Sequence, residues 1–316
     1  MGGSRIRDAV VVLAAAFLGM SCGGGGGGGS DNGELSGPPT VSSENAKTAA
    51  GLVTDAADSL IEVAGTSGDI LEQTEEYVES GTGLGRAAAD PVDVSTLVCP
   101  GGGRATLDLT DEAPTGELSG GDRVTVTFQD CVGEDDGSAV TFDGVLTMSV
   151  RSAEGDYGAQ GSSFEVDFSF QGFSVDGWTV NGGFSATFEA QAGGALRVTV
   201  AGDSLTVSAP EGASVSCTNF VCTATADPAS DAYTLDLDGT VSGSGVDGEL
   251  HVETSDPFAW TDDNDPTSGR FTATASDGSS LTFEAHADGT VTITVDEDGD
   301  GSADATIETT WDEIGS

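Results

Sequence analysis

The sequence predicts a mainly β protein: a long antiparallel meander (curled sheet, half-barrel or sandwich) with one or two N-terminal helices packed on it. Two observations carry the β assignment. From about residue 96 onward apolar and polar residues alternate with a period of two, as in "SSFEVDFSFQGFSV", where Phe164, Val166, Phe168 and Phe170 face away from Glu165, Asp167, Ser169 and Gln171. Such alternation marks a strand with one face on a core. Asp-Gly and Gly-Gly pairs also recur among strand-like runs spaced about nine to twelve residues apart, supplying the positive φ angles of tight hairpin turns. A third observation, a helical period ahead of residue 96, adds the helix.

Taken in order, residues 42–65 form the clearest helix. Ala46, Ala50, Val53, Ala57, Leu60 and Ala64 recur at spacings of four and three, Ser42 or Ser43 caps the start, and Gly65 ends it. Residues 67–81 carry a second, shorter helical pattern with Ile70, Leu71 and Val78 inward, and 82–95 read as a loop. The β body then runs over 96–316, in roughly 13–15 strands at the usual hairpin spacing. Its turns are expected at Asp176-Gly177, Gly182-Gly183, Gly193-Gly194, Gly202-Asp203, Asp247-Gly248, Asp277-Gly278 and Asp288-Gly289. Scarce aromatics (6%) and a polar C-terminus, "WDEIGS", argue against a transmembrane barrel, whose strands need aromatic girdles. Trp178, Trp260 and Trp311 read as core anchors.

Ahead of the helix the chain reads "LGMSCGGGGGGGSDNG". Arg5 and Arg7 precede a twelve-residue apolar run at 9–20, too short to span a bilayer as a helix. Small residues then lead to Cys22. This segment resembles a bacterial lipoprotein signal peptide, with Gly19 where the usual pattern has Leu. The resemblance implies removal of residues 1–21, diacylglycerol on the Cys22 thiol and acylation of the new amino terminus. Each buried CH2 of such chains contributes about 0.8 kcal/mol to anchoring. Gly23 after the cysteine implies sorting to the outer membrane, on either face. Residues 22–40 then form a lipidated, glycine-rich tether, on the order of 20–25 Å as a coil and at most about 60 Å extended.

Cys22 leaves four further cysteines. In an exported protein they are expected in disulfides. Three connectivities exist, and 99–131 with 217–222 is chosen because each pair closes a local hairpin-like loop. Zinc is disfavoured: no CxxC occurs, and His251 and His286 lie far from any cysteine in sequence.

The joined pieces "SSENAKTAAG", "CPGGGRATLDLTDEAPTGELSGGDRVTVTFQDC" and "PTSGRFTATASDGSSLTFEAHADGTVTITVDEDGDGSADATIETTWDEI" together resemble a recurrent group of uncharacterised bacterial outer-membrane-type lipoproteins. That resemblance implies a lipidated start, a tether and a β-rich body. It assigns no chemistry.

Fifty-four acids against nine bases give a net charge of −45. Nucleic acid is excluded as a partner, because phosphate binding needs clustered Lys and Arg. Charge of this size makes the compact state repel itself, so salt or divalent cations stabilise it. The sharpest cation candidate is "VDEDGDGSAD" (295–304). Asp296, Asp298 and Asp300 occupy positions 1, 3 and 5 of a calcium loop, Gly301 position 6, the Ser302 carbonyl position 7 and Asp304 position 9. Position 12 is Ile307, with Glu308 one place later. A structural Ca2+ stapling a β turn is the expectation, against a solvated acidic turn. A weaker loop at 111–122 keeps Asp111, Gly116, Leu118 and Asp122 but has lost two acids, and Asp262, Asp263 and Asp265 cluster in a third loop.

Catalysis lacks raw material: no GxSxG, HExxH or phosphate loop occurs, and neither histidine neighbours a nucleophile. The leading expectation is a lipid-anchored, acidic, β-rich envelope protein with a structural or interaction role and no catalysis. The alternative is a binding module for a small apolar ligand or a carbohydrate on the sheet's concave face. An apolar ligand there would need a cavity lined by Phe164, Phe168, Phe184 and Phe188.

Overall fold

The computed structural model describes residues 40–61, 63, 92–99, 101–110, 119–135, 138–155, 159–210, 212–261 and 265–314. The expected leader, the tether up to residue 39 and the second helix at 67–81 lie outside them. Helix α1 runs over 46–61. The strands are β1 (Val92–Val98), β2 (Arg104–Thr110), β3 (Arg123–Asp135), β4 (Ser138–Glu154), β5 (Ser163–Val175), β6 (Trp178–Ala190) and β7 (Leu196–Ser208). They continue as β8 (Ser214–Asp227), β9 (Ala232–Gly243), β10 (Glu249–Thr261), β11 (Ser268–Ala275), β12 (Ser280–Ala285), β13 (Thr290–Asp296) and β14 (Ala305–Thr310), before a 3-10 turn at Trp311–Glu313. All fourteen lie in one open sheet in sequence order. The meander is therefore as expected, and its strands begin four residues ahead of residue 96.

Five of the expected hairpin turns fall between strands. At Asp176-Gly177 both residues take positive φ, 49° and 84°, the twist a tight hairpin needs. Gly182-Gly183 and Gly202-Asp203 do not turn: they lie inside β6 and β7. Both belong to a row of irregularities that crosses the sheet from β3 to β10. Asp130, Gly144, Gly172, Gly182, Asn219 and Gly239 all have positive φ, and register shifts fall beside them. The row ends at a longer irregularity between Val252 and Phe258 of β10. A bulge adds one residue to a strand and switches which parity faces inward. So β5 buries Phe164, Val166, Phe168 and Phe170 and then Phe173, while β8 buries Cys217 and then Phe220 and Cys222. The longer strands are creased near their middles while one face stays apolar.

That inner face holds α1. The expected stripe is buried from Ala46 to Leu60, and it is broader than expected, because Ala49, Leu52, Ala56 and Ile61 are buried too. Glycines let the helix come close: a methyl on Gly243 at the end of β9 would meet Leu52, and one on Gly245 just beyond it would meet Thr48. Even on the far side of the helix, burial pushes the Asp55 carboxyl above its usual range. Phe258 of β10 and Trp311, just beyond β14, have ring centroids 6.3 Å apart. Four strand spacings separate β10 from β14, about 19 Å on a flat sheet. Sheet curl and the fold-back of the last turn together close that distance.

The segment entering α1 is clasped by the far end of the chain. Thr40 N–H donates to Asp277 Oδ2 at 2.7 Å, Val41 N–H to Ser279 Oγ at 2.9 Å and Ser43 N–H to Glu297 Oε1 at 2.8 Å, while Lys47 Nζ pairs with Glu313 Oε2 at 2.6 Å. Ser42 and Ser43 do not supply the expected cap. Instead the Asn45 carboxamide accepts from Ser42 N–H and donates to the Thr40 carbonyl. Partial burial works against the charge on Asp277, but hydrogen bonds from Ser279 and Thr40 outweigh it and hold the carboxyl down at about 2.

Candidate functional site

The acidic turn between β13 and β14 brings together three of the four carboxylates expected as ligands. One carboxylate oxygen from each of Asp296, Asp298 and Asp304 lies within 4.8 Å of the others. The loop's own backbone organises them. Asp296 accepts Gly299 N–H and Gly301 N–H, both at 2.8 Å, Asp298 accepts Asp300 N–H at 3.2 Å, and Asp304 accepts Glu297 N–H at 2.8 Å. Asp300 stands apart, accepting Ser302 N–H at 2.7 Å. Three like charges this close repel, and a hard cation would relieve that repulsion. Of the weaker loops, Asp122 is buried and accepts Ser119 N–H at 2.7 Å, and Asp265 is described. Asp111, Gly116, Leu118, Asp262 and Asp263 lie outside the described residues.

Cys99 and Cys131 form the expected disulfide, with Cα atoms 5.4 Å apart, tying the end of β1 to the bulge in β3. The second expected bridge is overturned: Cys217 and Cys222 are free and buried. Thr218–Asn219 reads as a turn in sequence but is a bulge within β8, with Asn219 at φ 48°. Five residues of strand cover roughly 16 Å, and a disulfide needs Cα atoms within about 7 Å. Burial pushes the Cys217 thiol up to about 12 and raises Cys222 as well, so both are poor nucleophiles. Cys22 lies outside the described residues.

Phe164, Phe168, Phe184 and Phe188 are all buried. Phe164 pairs with Phe188 across β5 and β6, and the Phe168 and Phe184 rings lie 5.2 Å apart. A pocket lies between α1 and β9–β11, missed in the sequence because its walls come from distant segments. Val53 and Ala57 of the helix face Leu235, Leu237, Val252, Phe258 and Trp311 across a small apolar pocket that is partly open to solvent. Trp260 and Trp311 are core residues as expected, whereas Trp178 is 45% exposed beside the β5–β6 turn. His251 is exposed on β10, and His286 Nε2 bonds Thr292 Oγ1 at 2.8 Å.

No family model, curated protein or solved structure matches this chain.

Proposed function

We propose that the chain is a lipid-anchored, non-catalytic protein of the cell envelope, held at the outer membrane through Cys22, whose acidic β body serves a structural or interaction role. The observation that carries the reading is the clasp on residues 40–47. The glycine-rich tether ends at Thr40, where Asp277, Ser279 and Glu297 begin to grip the chain. Load arriving along the tether therefore enters the body through several hydrogen bonds at one end of the sheet. Expression in a Gram-negative host with labelled palmitate tests this. The wild-type protein should take up label and sediment with membranes, and Cys22→Ala should lose the label. An unlabelled wild-type protein, or a labelled Cys22→Ala, rejects the anchor.

A calcium ion held by Asp296, Asp298 and Asp304 belongs to the same reading as a staple on the last hairpin. The expected result is a melting temperature several degrees higher in calcium than in EDTA, abolished in Asp298→Ala. Equal stabilisation by sodium chloride at matched ionic strength would remove the ion and leave only screening of the −45 charge.

A further inference from the structure

The hairpin tips at one end of the sheet form a level rim. Thr179 pairs with Ser208, Val215 with Gly243, Leu250 with Ala275 and Ser280 with Asp296, and the pairs between them hold the same height to within a residue. The turns that join β5 to β6, β7 to β8, β9 to β10, β11 to β12 and β13 to β14 therefore stand side by side. The tether ends at this rim: Thr40 N–H bonds Asp277 in one of these turns, and Ser43 N–H bonds Glu297 in another.

The same rim presents an aromatic ring to water. Among the described residues the exposed large hydrophobics are Trp178, at 45%, and Val221, which lies mid-strand beside the β8 bulge. Trp178 follows Asp176-Gly177 at the β5–β6 tip, and that tip is fixed. Asp176 Oδ1 accepts Thr141 N–H at 2.7 Å, and Asp176 N–H donates to the Thr141 carbonyl at 2.9 Å. A methyl on Gly177 would come within 3.1 Å of the Pro210 ring in the next turn. An indole, apolar in its body and polar at its N–H edge, suits the boundary between membrane and water.

We propose that this rim faces the bilayer and that Trp178 seats its ring in the headgroup region of a zwitterionic surface, a contact that rests on anchoring through Cys22. A glycine-rich coil between Cys22 and Thr40 spans on the order of 20–25 Å, whereas strands such as β5 and β6 carry the opposite end of the body roughly 40 Å further away. The rim is the near end. One ring is too small a contact to hold a free protein on a bilayer, but the tether makes the contact intramolecular, at an effective concentration of order millimolar. Charge selects the surface. Asp247, Asp277, Glu297 and Asp298 stand in the rim's turns, whose described residues include no Lys or Arg, so an anionic leaflet repels it.

The test places the full lipidated chain in phosphatidylcholine vesicles whose acyl chains carry bromine close to the headgroup, a quencher of indole emission at short range. Trp260 and Trp311 are each 3% exposed, so the emission lost to bromine should equal the share that Trp178→Phe removes, and that variant should show no quenching. Replacing much of the phosphatidylcholine with phosphatidylglycerol should weaken the quenching, and salt should restore it. Emission untouched by bromine in the anchored protein overturns the proposal: Trp178 then stands in water if acrylamide quenches it, and against a second copy of the chain if acrylamide does not. Quenching that persists in Trp178→Phe, or that phosphatidylglycerol strengthens, overturns it too. A chain without lipid on Cys22, read separately from the palmitate label, rejects the anchor and this contact together.

Discussion

Gly182→Ala is expected to destabilise the body by about 3–5 kcal/mol, while Gly172→Ala, one strand away on the same crease, should cost only about 1 kcal/mol. The contrast comes from surroundings. Gly182 has φ 107°, and an added Cβ would overlap the Ser204 carbonyl of β7. Strained φ and overpacking each cost about 1–3 kcal/mol, and backbone on a central strand has little room to relax. Gly172 has φ 55° with no atom within 4 Å of the position a Cβ would take, so only the left-handed penalty remains. Urea midpoints at equal m-values measure both. Against a total stability of about 5–15 kcal/mol, Gly182→Ala removes a large share. A Gly182→Ala protein within 1 kcal/mol of wild type would mean that the crease does not depend on that glycine.

Cys131→Ser should be the other severe change. The bond joins residues 32 apart, from the end of β1 to the bulge of β3, with β2 between. A loop of that length restricts the unfolded chain by roughly 3–4 kcal/mol in the chain-entropy model. Reductant should lower the wild-type melting temperature to that of Cys131→Ser and leave the variant unmoved. Cys217 and Cys222 should resist alkylation in the folded protein and react once it unfolds, because burial keeps both thiols protonated. A wild-type melt unaffected by reductant would assign the stability of this end to strand pairing alone.

The alternation of β5 and the Asp-Gly turns at 176, 277 and 288 were legible because both signals are local: period two and positive φ belong to a few adjacent residues. The same locality produced the errors. Positive φ serves a bulge as well as a turn, so Gly182-Gly183, Gly202-Asp203 and Asn219 were ambiguous without knowing whether the chain reverses there. The Cys217–Cys222 misassignment follows directly from the last of these. Trp178 was misplaced because the strand pattern does not show that its inward neighbour is Val180, 7% exposed, while Trp178 itself sits at the hairpin tip. The acidic turn was visible as spacing, but spacing could not tell that Asp300 turns to its own backbone while Asp304 joins Asp296. The pocket and the clasp had no sequence signal, since Thr40 and Asp277 meet across 237 residues.

The unbroken order of the sheet has a kinetic meaning. Every strand pairs only with its neighbours in sequence, so each pairing closes a short loop at small entropic cost. An all-β chain of this kind has far lower contact order than a Greek-key sandwich, and its sheet should zip hairpin by hairpin, early and fast. Docking α1 is different. Joining Thr40 to Asp277 and Ser43 to Glu297 closes loops of well over two hundred residues, and those contacts become rewarding only after β8 to β14 have formed a surface. During synthesis the helix leaves the ribosome long before its seat exists. It must wait, apolar stripe exposed, for the last hairpin to be made.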